Sequence, residues 1–109
     1  MTIKWVKIDP LVMNGEPFCF ATRLTVRNLL EMRANGLNPS AILADNPELR
    51  RVGIAEAFRF AAENRQRYAD FFDNGGLRGP GFSPAEVETF PEHLRGLTGI
   101  VVTAEGGPA

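Results

Sequence analysis

The stretch TVRNLLEMRANGLNPSAILADNP, residues 25–47, decides the fold, because it contains the start and end signals of two consecutive helices. Thr25 is predicted to cap the first helix, since its hydroxyl can accept a hydrogen bond from a free N–H of the first turn. Gly36 stands where the end of a helix favours a residue with positive φ. The first helix is therefore predicted over about residues 26–35, with its apolar side chains at helical spacing.

Two more helices are predicted after this one. Asn38 caps a short second helix, Pro39 occupies its first position, where a missing N–H costs nothing, and Pro47 ends it. An apolar stripe at helical spacing then predicts a third helix over about 49–72. At 1.5 Å per residue this helix would be roughly 35 Å long. Its second half is therefore expected to project beyond a small core.

The residues before the first helix have the pattern of a β segment. Residues 3–8 and 18–24 are extended and largely apolar, and the stretch between them contains Asp-Pro and Asn-Gly turn signals. The two segments can form a small hairpin or an exchanged pair between chains. We therefore expect a mainly α fold, a helix-turn-helix unit of three helices preceded by a short β segment or hairpin.

The chain changes character after residue 72. Residues 1–72 carry ten basic and eight acidic side chains, whereas residues 73–109 carry two basic and five acidic ones and eight of the eleven glycines. This predicts a compact helix-turn-helix domain followed by a glycine-rich linker and a loose acidic extension. A capping box at Ser83 predicts a short helix over 84–90, and GIVVT predicts a strand over 99–103. We expect residues 1–72 to fold without the extension.

The totals describe one domain with a tail. The chain has 109 residues, a net charge of −1 and one cysteine, so neither a strong attraction to nucleic acid nor an internal disulfide is expected. The first ten residues lack the apolar segment of a signal peptide, and no apolar run approaches the length of a membrane span. These features favour a cytoplasmic protein without a membrane segment.

The sequence offers no catalytic or metal-binding constellation. Cys19 lies between two phenylalanines, with no cation beside it to lower its pKa, and is interpreted as a small buried hydrophobe. His93 is the only histidine, so a metal site would lack ligands. No nucleophile, base and stabiliser can be assembled. We expect no enzyme activity, no cofactor and no small-molecule substrate.

Several segments of the chain together resemble a known family. Its pattern reads Asp-Pro, Gly-x-Pro, Gly-Thr-Arg-(Ile/Leu)-x-Val, a helix ending in Gly, a short helix closing in Asp-x-Pro-x-Leu, and an Ile-x-x-Ala helix. The matching segments are DP at 9–10, NGEPFCFATRLTV at 14–26, LL and ANGLNPSAILADNPEL within 29–49, and IAEAFRFAAE at 54–63. Over about residues 3–65 the chain resembles domain-of-unknown-function family 433. Ala21 replaces the family's glycine, and residues 73–109 lie outside the pattern.

The resemblance implies a homeodomain-like or winged helix-turn-helix module. It also implies an antitoxin, since many proteins of the family are regarded as antitoxins encoded beside a PIN-like nuclease toxin. We accordingly expect a homodimer that neutralises such a toxin by binding it, without chemistry, and that binds its own promoter DNA to regulate it. The alternative is a stand-alone helix-turn-helix DNA-binding transcriptional regulator.

Three groups of residues are candidates for these roles. Pro17, Thr22 and Arg23 mark the corner that leads into the first helix, and Arg23 either holds this corner or contacts a partner. Four arginines are candidate DNA contacts, two at the start of the third helix and two on the first: Arg50, Arg51, Arg27 and Arg33. Arg50 and Arg51 can equally be a solvated pair near Glu48.

The candidate toxin contacts are aromatic residues near the end of the third helix and in the extension: Tyr68, Phe71, Phe72, Phe82 and Phe90. Two arrangements of the extension remain open. It can fold back onto the exposed half of the third helix, or it can become ordered on the surface of the toxin, with its acidic charge facing a basic RNA groove.

Overall fold

The computed structural model of the chain describes residues 5–20, 22–73 and 76–90. The first of these ranges begins with a two-stranded antiparallel hairpin, β1 (Val6–Lys7) and β2 (Phe18–Cys19), in which Val6 pairs with Cys19 and Lys7 with Phe18. The ring of Trp5 lies over Gly53, where a Cβ atom would come within 3.2 Å of the ring. This contact seats the hairpin on the third helix. The hairpin confirms the predicted β segment.

Three helices follow: α1 (Val26–Ala34) and α2 (Pro39–Asp45), which begin at the predicted residues, and α3 (Arg51–Glu63), which begins two residues later than predicted, after a 3₁₀ turn at Pro47–Leu49. Thr25 and Asn28 form a reciprocal capping box at the start of α1, with both N···O distances at 3.0 Å. The Asn38 side chain accepts from the N–H of Ala41 at 2.9 Å. These local hydrogen bonds explain why the starts of α1 and α2 were predictable. A mainly helical unit of three helices is confirmed.

The third helix is shorter than the predicted span of 49–72. It ends at Glu63, where Asn64 donates from its side chain to the carbonyl of Phe60 at 2.7 Å. The backbone then turns through residues 64–68 into a short 3₁₀ turn, Ala69–Phe71. Tyr68 is thereby carried back into the core, fully buried, instead of outward along a continuing helix. The prediction of a projecting second half is wrong.

The described part of the extension folds back onto the three helices. It contains a second hairpin, β3 (Phe72–Asp73) with β4 (Gly76–Leu77), and a short helix, α4 (Pro84–Val87). Its apolar side chains join the core of the helical unit: Leu77, Phe82, Val87 and Phe90. Of the two arrangements left open for the extension, these residues fold back, but onto the core of the three helices and not onto a projecting second half of the third helix, which ends at Glu63.

The Ser83 capping box is confirmed, and it starts α4 as predicted. The Ser83 N–H donates to Glu86 Oε1 at 2.9 Å, and the Glu86 N–H donates to Ser83 Oγ at 3.2 Å. The helix ends at Val87, a turn short of the predicted range 84–90. The strand predicted over 99–103 lies outside the described residues.

A buried arginine joins the extension to α1. Arg33 is 1% exposed, and its Nε donates to the carbonyl of Gly79 at 3.2 Å. Its guanidinium lies 4.6 Å from the centre of the Phe58 ring. Phe82 packs on the same ring, with the centroids 6.1 Å apart. The core therefore extends without a break from the three helices into residues 76–90. This packing argues against the expectation that residues 1–72 fold without the extension, which stays a prediction for truncation to test.

Candidate functional site

The start of α3 is the part of the predicted DNA surface that is exposed to solvent in the structure. Arg50 and Arg51 are both exposed there. Arg50 precedes the helix with φ 62° and ψ 152°, a conformation that favours glycine and costs a side chain about 1–3 kcal/mol. Backbone strain of this kind is found most often at functional positions. It makes Arg50 a candidate for a role other than stability.

The first turn of α3 also lacks a side-chain cap. Thr25, Asn38 and Ser83 cap α1, α2 and α4, whereas no side chain of the described residues accepts a hydrogen bond at the start of α3. The first N–H groups of a helix carry partial positive charge and bind phosphate oxygens readily. The uncapped turn and the two arginines therefore offer several donors to an anion on one small surface.

Arg51 is held by the extension. Its Nη2 lies 3.7 Å from Glu86 Oε2, and its guanidinium lies 5.5 Å from the centre of the Phe90 ring. Both charged side chains are more than a third exposed, so the ion pair contributes at most about 1 kcal/mol. A phosphate group can replace such a weak partner. The solvated pair with Glu48 that the sequence left open is replaced for Arg51 by this pair with Glu86.

The other two predicted DNA contacts lie elsewhere. Arg33 is buried beneath the extension, so its predicted contact with phosphates is contradicted: its guanidinium is covered by Phe58 and Gly79. Arg27 is half-buried and donates to the carbonyl of Arg67 at 3.1 Å. Arg67 follows the C-terminal end of α3, and a 13-residue helix is about 20 Å long. The structure therefore separates Arg27 from the start of α3.

A second group of cations, which the sequence reasoning missed, lies with Arg27 at that far end. Arg65 and Arg67 are exposed in the turn after α3. The guanidinium of Arg65 lies 4.3 Å from the centre of the Phe72 ring, and that of Arg27 lies 5.5 Å from the Phe71 ring. The signal in the sequence was the Arg-Gln-Arg triplet at 65–67, which a continuous helix would have spread over different faces.

Most of the predicted aromatic toxin contacts are core residues. Tyr68 and Phe82 are fully buried and Phe90 is 6% exposed, so their prediction as partner contacts is contradicted: each is covered by side chains of its own chain. Phe82 packs edge-on against Phe90 with the centroids 4.9 Å apart. Phe71 and Phe72 are half-buried. Of the five, these two alone present part of a ring to a partner.

The corner before α1 is built by Pro17 and Thr22. The buried Pro17 accepts at its carbonyl from the Val26 N–H at 2.9 Å. The Thr22 hydroxyl donates to the Cys19 carbonyl at 2.9 Å and accepts from the Leu24 N–H at 3.0 Å. Arg23 is exposed and forms no hydrogen bond or ion pair with another described residue. It therefore does not hold the corner through the described residues.

The cysteine is a packing residue, as predicted. Cys19 is 2% exposed, and burial raises the pKa of its thiol to about 12. The thiol is therefore protonated at neutral pH and is not a nucleophile. No group of three or more His, Cys, Asp or Glu side chains within the described ranges could hold a metal ion. No helix among the same residues is long and apolar enough to cross a membrane.

Comparison with known proteins relates the chain to a family. The model of a family described as Protein of unknown function (DUF433) matches residues 6–61. The matched part runs from β1 to near the end of α3 and includes the corner and the exposed start of α3. No curated protein and no solved structure matches the chain.

Proposed function

The chain belongs to the family described as Protein of unknown function (DUF433), whose model matches more than half of it, and on this premise we propose that it is the antitoxin of a type II toxin–antitoxin pair. It binds and neutralises a PIN-like nuclease in the cytoplasm. As a homodimer it also binds the promoter DNA of its own operon. Both actions are binding and occlusion and involve no chemistry.

The observation that carries the DNA-binding part is the start of α3. In a helix-turn-helix protein the second helix of the motif presents its first turn to the base edges in the major groove. Here α2 and α3 are joined by residues 46–50, and the uncapped first turn of α3 is flanked by exposed Arg50 and Arg51. Arginine is the side chain that most often recognises guanine, through two parallel hydrogen bonds.

The toxin-binding part is supported by the surface after α3. The half-buried Phe71 and Phe72 lie beside the cations Arg27 and Arg65. Aromatic and arginine side chains are the types most enriched among the residues that dominate binding at protein interfaces. This surface is about 20 Å from Arg50 along α3, so one chain can contact DNA and toxin at the same time.

One observation favours the alternative, a stand-alone DNA-binding regulator. Tyr68, Phe82 and Phe90 are covered by their own chain, so the described residues offer a toxin fewer aromatic contacts than the sequence had suggested. The alternative keeps the role of α3 and omits the toxin. The adjacent reading frame separates the two functions, because an antitoxin is expected beside a small nuclease with clustered acidic metal ligands.

We expect Arg50→Ala and Arg51→Ala to weaken binding to the DNA upstream of the protein's own gene. A lost contact to a base edge costs about 1–3 kcal/mol, or roughly 5- to 150-fold in affinity. A lost phosphate contact reduces the slope of log affinity against log salt concentration by about one. Fluorescence anisotropy titrations at two salt concentrations measure both quantities. Full affinity in both variants would exclude α3 as the recognition helix.

Three further variants serve as controls for this experiment. Arg50→Gly removes the side chain and also relieves the positive φ, so it is expected to bind DNA weakly while the protein becomes no less stable. Glu86→Gln frees Arg51 and keeps an acceptor for the Ser83 N–H, so it is expected to bind more tightly. Arg78→Ala removes an exposed charge from the extension and is expected to leave binding nearly unchanged.

We expect the full chain to restore growth of cells that express the adjacent nuclease, and Phe72→Ser to weaken the complex at least about tenfold, as removal of an aromatic interface anchor does. Growth rescue and calorimetry with the purified, inactivated nuclease measure these effects. Arg51→Ala is the matched control, since it should impair DNA binding and leave rescue intact. A wild-type chain that binds DNA but neither rescues growth nor binds the nuclease would be a stand-alone regulator.

A further inference from the structure

The exposed apolar side chains of the described residues are concentrated in one place. The large hydrophobic residues that solvent reaches most are Ile8, Leu11, Val12 and Phe20, all in or beside the first hairpin. Leu11 is 94% exposed. Single exposed apolar residues are ordinary, but a contiguous group of them usually marks a surface that contacts another molecule.

The loop that carries Leu11 is ordered by its own hydrogen bonds. The Leu11 N–H donates to Asp9 Oδ1 and the Val12 N–H to the Asp9 carbonyl, both at 2.9 Å. The Gly15 N–H donates to the Val12 carbonyl at 3.0 Å. The loop therefore holds Leu11 in solvent in one defined arrangement. A loop whose backbone is already ordered loses less conformational entropy when a partner covers it.

An open cleft of about 960 Å³ lies beside this loop. Part of its lining is apolar, from Leu11, Val12, Phe18 and Leu24. Arg23 from the corner and Glu48 from the α2–α3 connection add one charge of each sign. Both are exposed, and neither forms an ion pair with another residue in the described parts of the chain.

A surface with these properties can complement a second copy of itself. A two-fold axis brings the same patch of two copies together. Each contact between two different positions therefore occurs twice, once from each copy to the other. An exposed apolar side chain at a partly apolar cleft, with one cation and one anion in the lining, is compatible with this requirement. DNA would leave Glu48 without a counter-charge, and a strongly charged protein partner would leave one of the two charges unpaired.

We propose that this cleft and Leu11 form a symmetric dimer interface with a second copy of the chain. Leu11 of each copy enters the cleft of the other, and Arg23 of each copy pairs with Glu48 of the partner subunit. A net charge of −1 opposes the association only weakly. The inference rests on the proposed function only for the existence of a dimer. Its test measures molar mass, so it can fail separately from DNA or toxin binding.

Sedimentation equilibrium of the full chain tests the interface. The wild type is expected to be a dimer, and Leu11→Asp a monomer with an unchanged thermal unfolding curve, since Leu11 packs on almost nothing within its own chain. A wild type that stays monomeric at all concentrations, or a Leu11→Asp variant that stays dimeric, overturns the proposal. So does a Leu11→Asp variant that keeps the wild-type mass but no longer binds the nuclease, which would identify the nuclease as the occupant.

Charge reversal makes the test specific for the pairing. Arg23→Glu and Glu48→Arg are each expected to weaken self-association at least about tenfold, because two like-charge contacts replace the two ion pairs. An equimolar mixture of these two variants is expected to form a heterodimer, since one copy then supplies both acidic side chains and the other both basic ones. A mixture that associates no better than its components overturns the proposed pairing.

Discussion

A chain that ends at Asp73 is expected to lose the cooperative thermal unfolding transition of the full chain. Truncation removes Leu77, Phe82, Val87 and Phe90 from the core and leaves the Phe58 ring exposed. Loss of one buried phenylalanine side chain typically costs about 3–5 kcal/mol. The total stability of a small domain is only about 5–15 kcal/mol. Removal of two phenylalanines together with a leucine and a valine is therefore enough to unfold residues 1–73.

The matched control is a chain that ends at Phe90. It retains every contact described between the extension and the helices, so its unfolding curve is expected to resemble that of the full chain. Circular dichroism melts and the dispersion of methyl resonances in NMR spectra distinguish a folded from an unfolded chain. A chain of residues 1–73 that melts cooperatively near the temperature of the full chain would show that the packing of residues 76–90 contributes little.

The expected loss has a consequence for tests of function. Deletion of the extension would abolish DNA binding and neutralisation alike if the helices unfold, so it cannot assign either role to residues 73–109. Point variants on the surface avoid this problem. For this reason Arg51 and Leu11, whose side chains are exposed, are better positions for separating the proposed functions. Phe72 packs partly against the core, so binding by Phe72→Ser is to be compared only after its thermal unfolding curve matches that of the wild type.

The elements that could be predicted from the sequence are those with signals in the neighbouring residues. Thr25, Gly36, Asn38 and Pro39 specify the limits of α1 and the start of α2 through hydrogen bonds or backbone angles that involve residues at most a few positions away. The capping box at Ser83 was predictable for the same reason. Such signals act before any tertiary contact forms.

The end of α3 could not be placed in this way. Its apolar stripe resumes at Tyr68, Phe71 and Phe72, so periodicity alone continues the helix. The polar run at residues 63–67 was the only local sign of a break. Ending the helix at Glu63 stabilises the fold, because Tyr68 can then be buried fully. That benefit depends on a tertiary contact, which no local pattern records.

Arg33 shows a similar limit. Val26, Leu29, Leu30 and Arg33 lie on one face of α1, and all four are buried, so the spacing did place Arg33 toward the core. Its charge, in contrast, favoured a position in solvent or in contact with a phosphate group. What makes burial tolerable is a hydrogen bond to the carbonyl of Gly79 and a stacking contact with Phe58. Both partners are distant in sequence.

The candidate DNA surface was predictable in part. The position of Arg50 and Arg51 at the start of the third helix followed from the helix order. The positive φ of Arg50 and the contact between Arg51 and Glu86 did not, because each depends on how the extension and the α2–α3 connection pack. Arg23 and Glu48 lie 25 positions apart, and only the folded chain brings them to one cleft.

Gly79→Ala is expected to destabilise the full chain by more than about 4 kcal/mol, within the range of the most damaging single substitutions. Gly79 has φ 95°, which an L side chain rarely adopts. A Cβ atom there would also overlap the carbonyl oxygen of Arg33 and lie 2.6 Å from its carbonyl carbon. The backbone of α1 cannot yield without breaking its own hydrogen bonds, so the extension must separate from the buried Arg33.

Alanine substitutions at two other glycines distinguish the two causes of this loss of stability, backbone strain and steric overlap. Gly36 has φ 99° but an added Cβ meets nothing within 4 Å, so Gly36→Ala reports the backbone strain alone, about 1–2 kcal/mol. Gly76 has neither a positive φ nor a neighbour within 4 Å, so Gly76→Ala is expected to change stability little. Urea unfolding followed by circular dichroism measures all three. If Gly79→Ala cost no more than Gly36→Ala, the close approach of the extension to α1 would not contribute to stability.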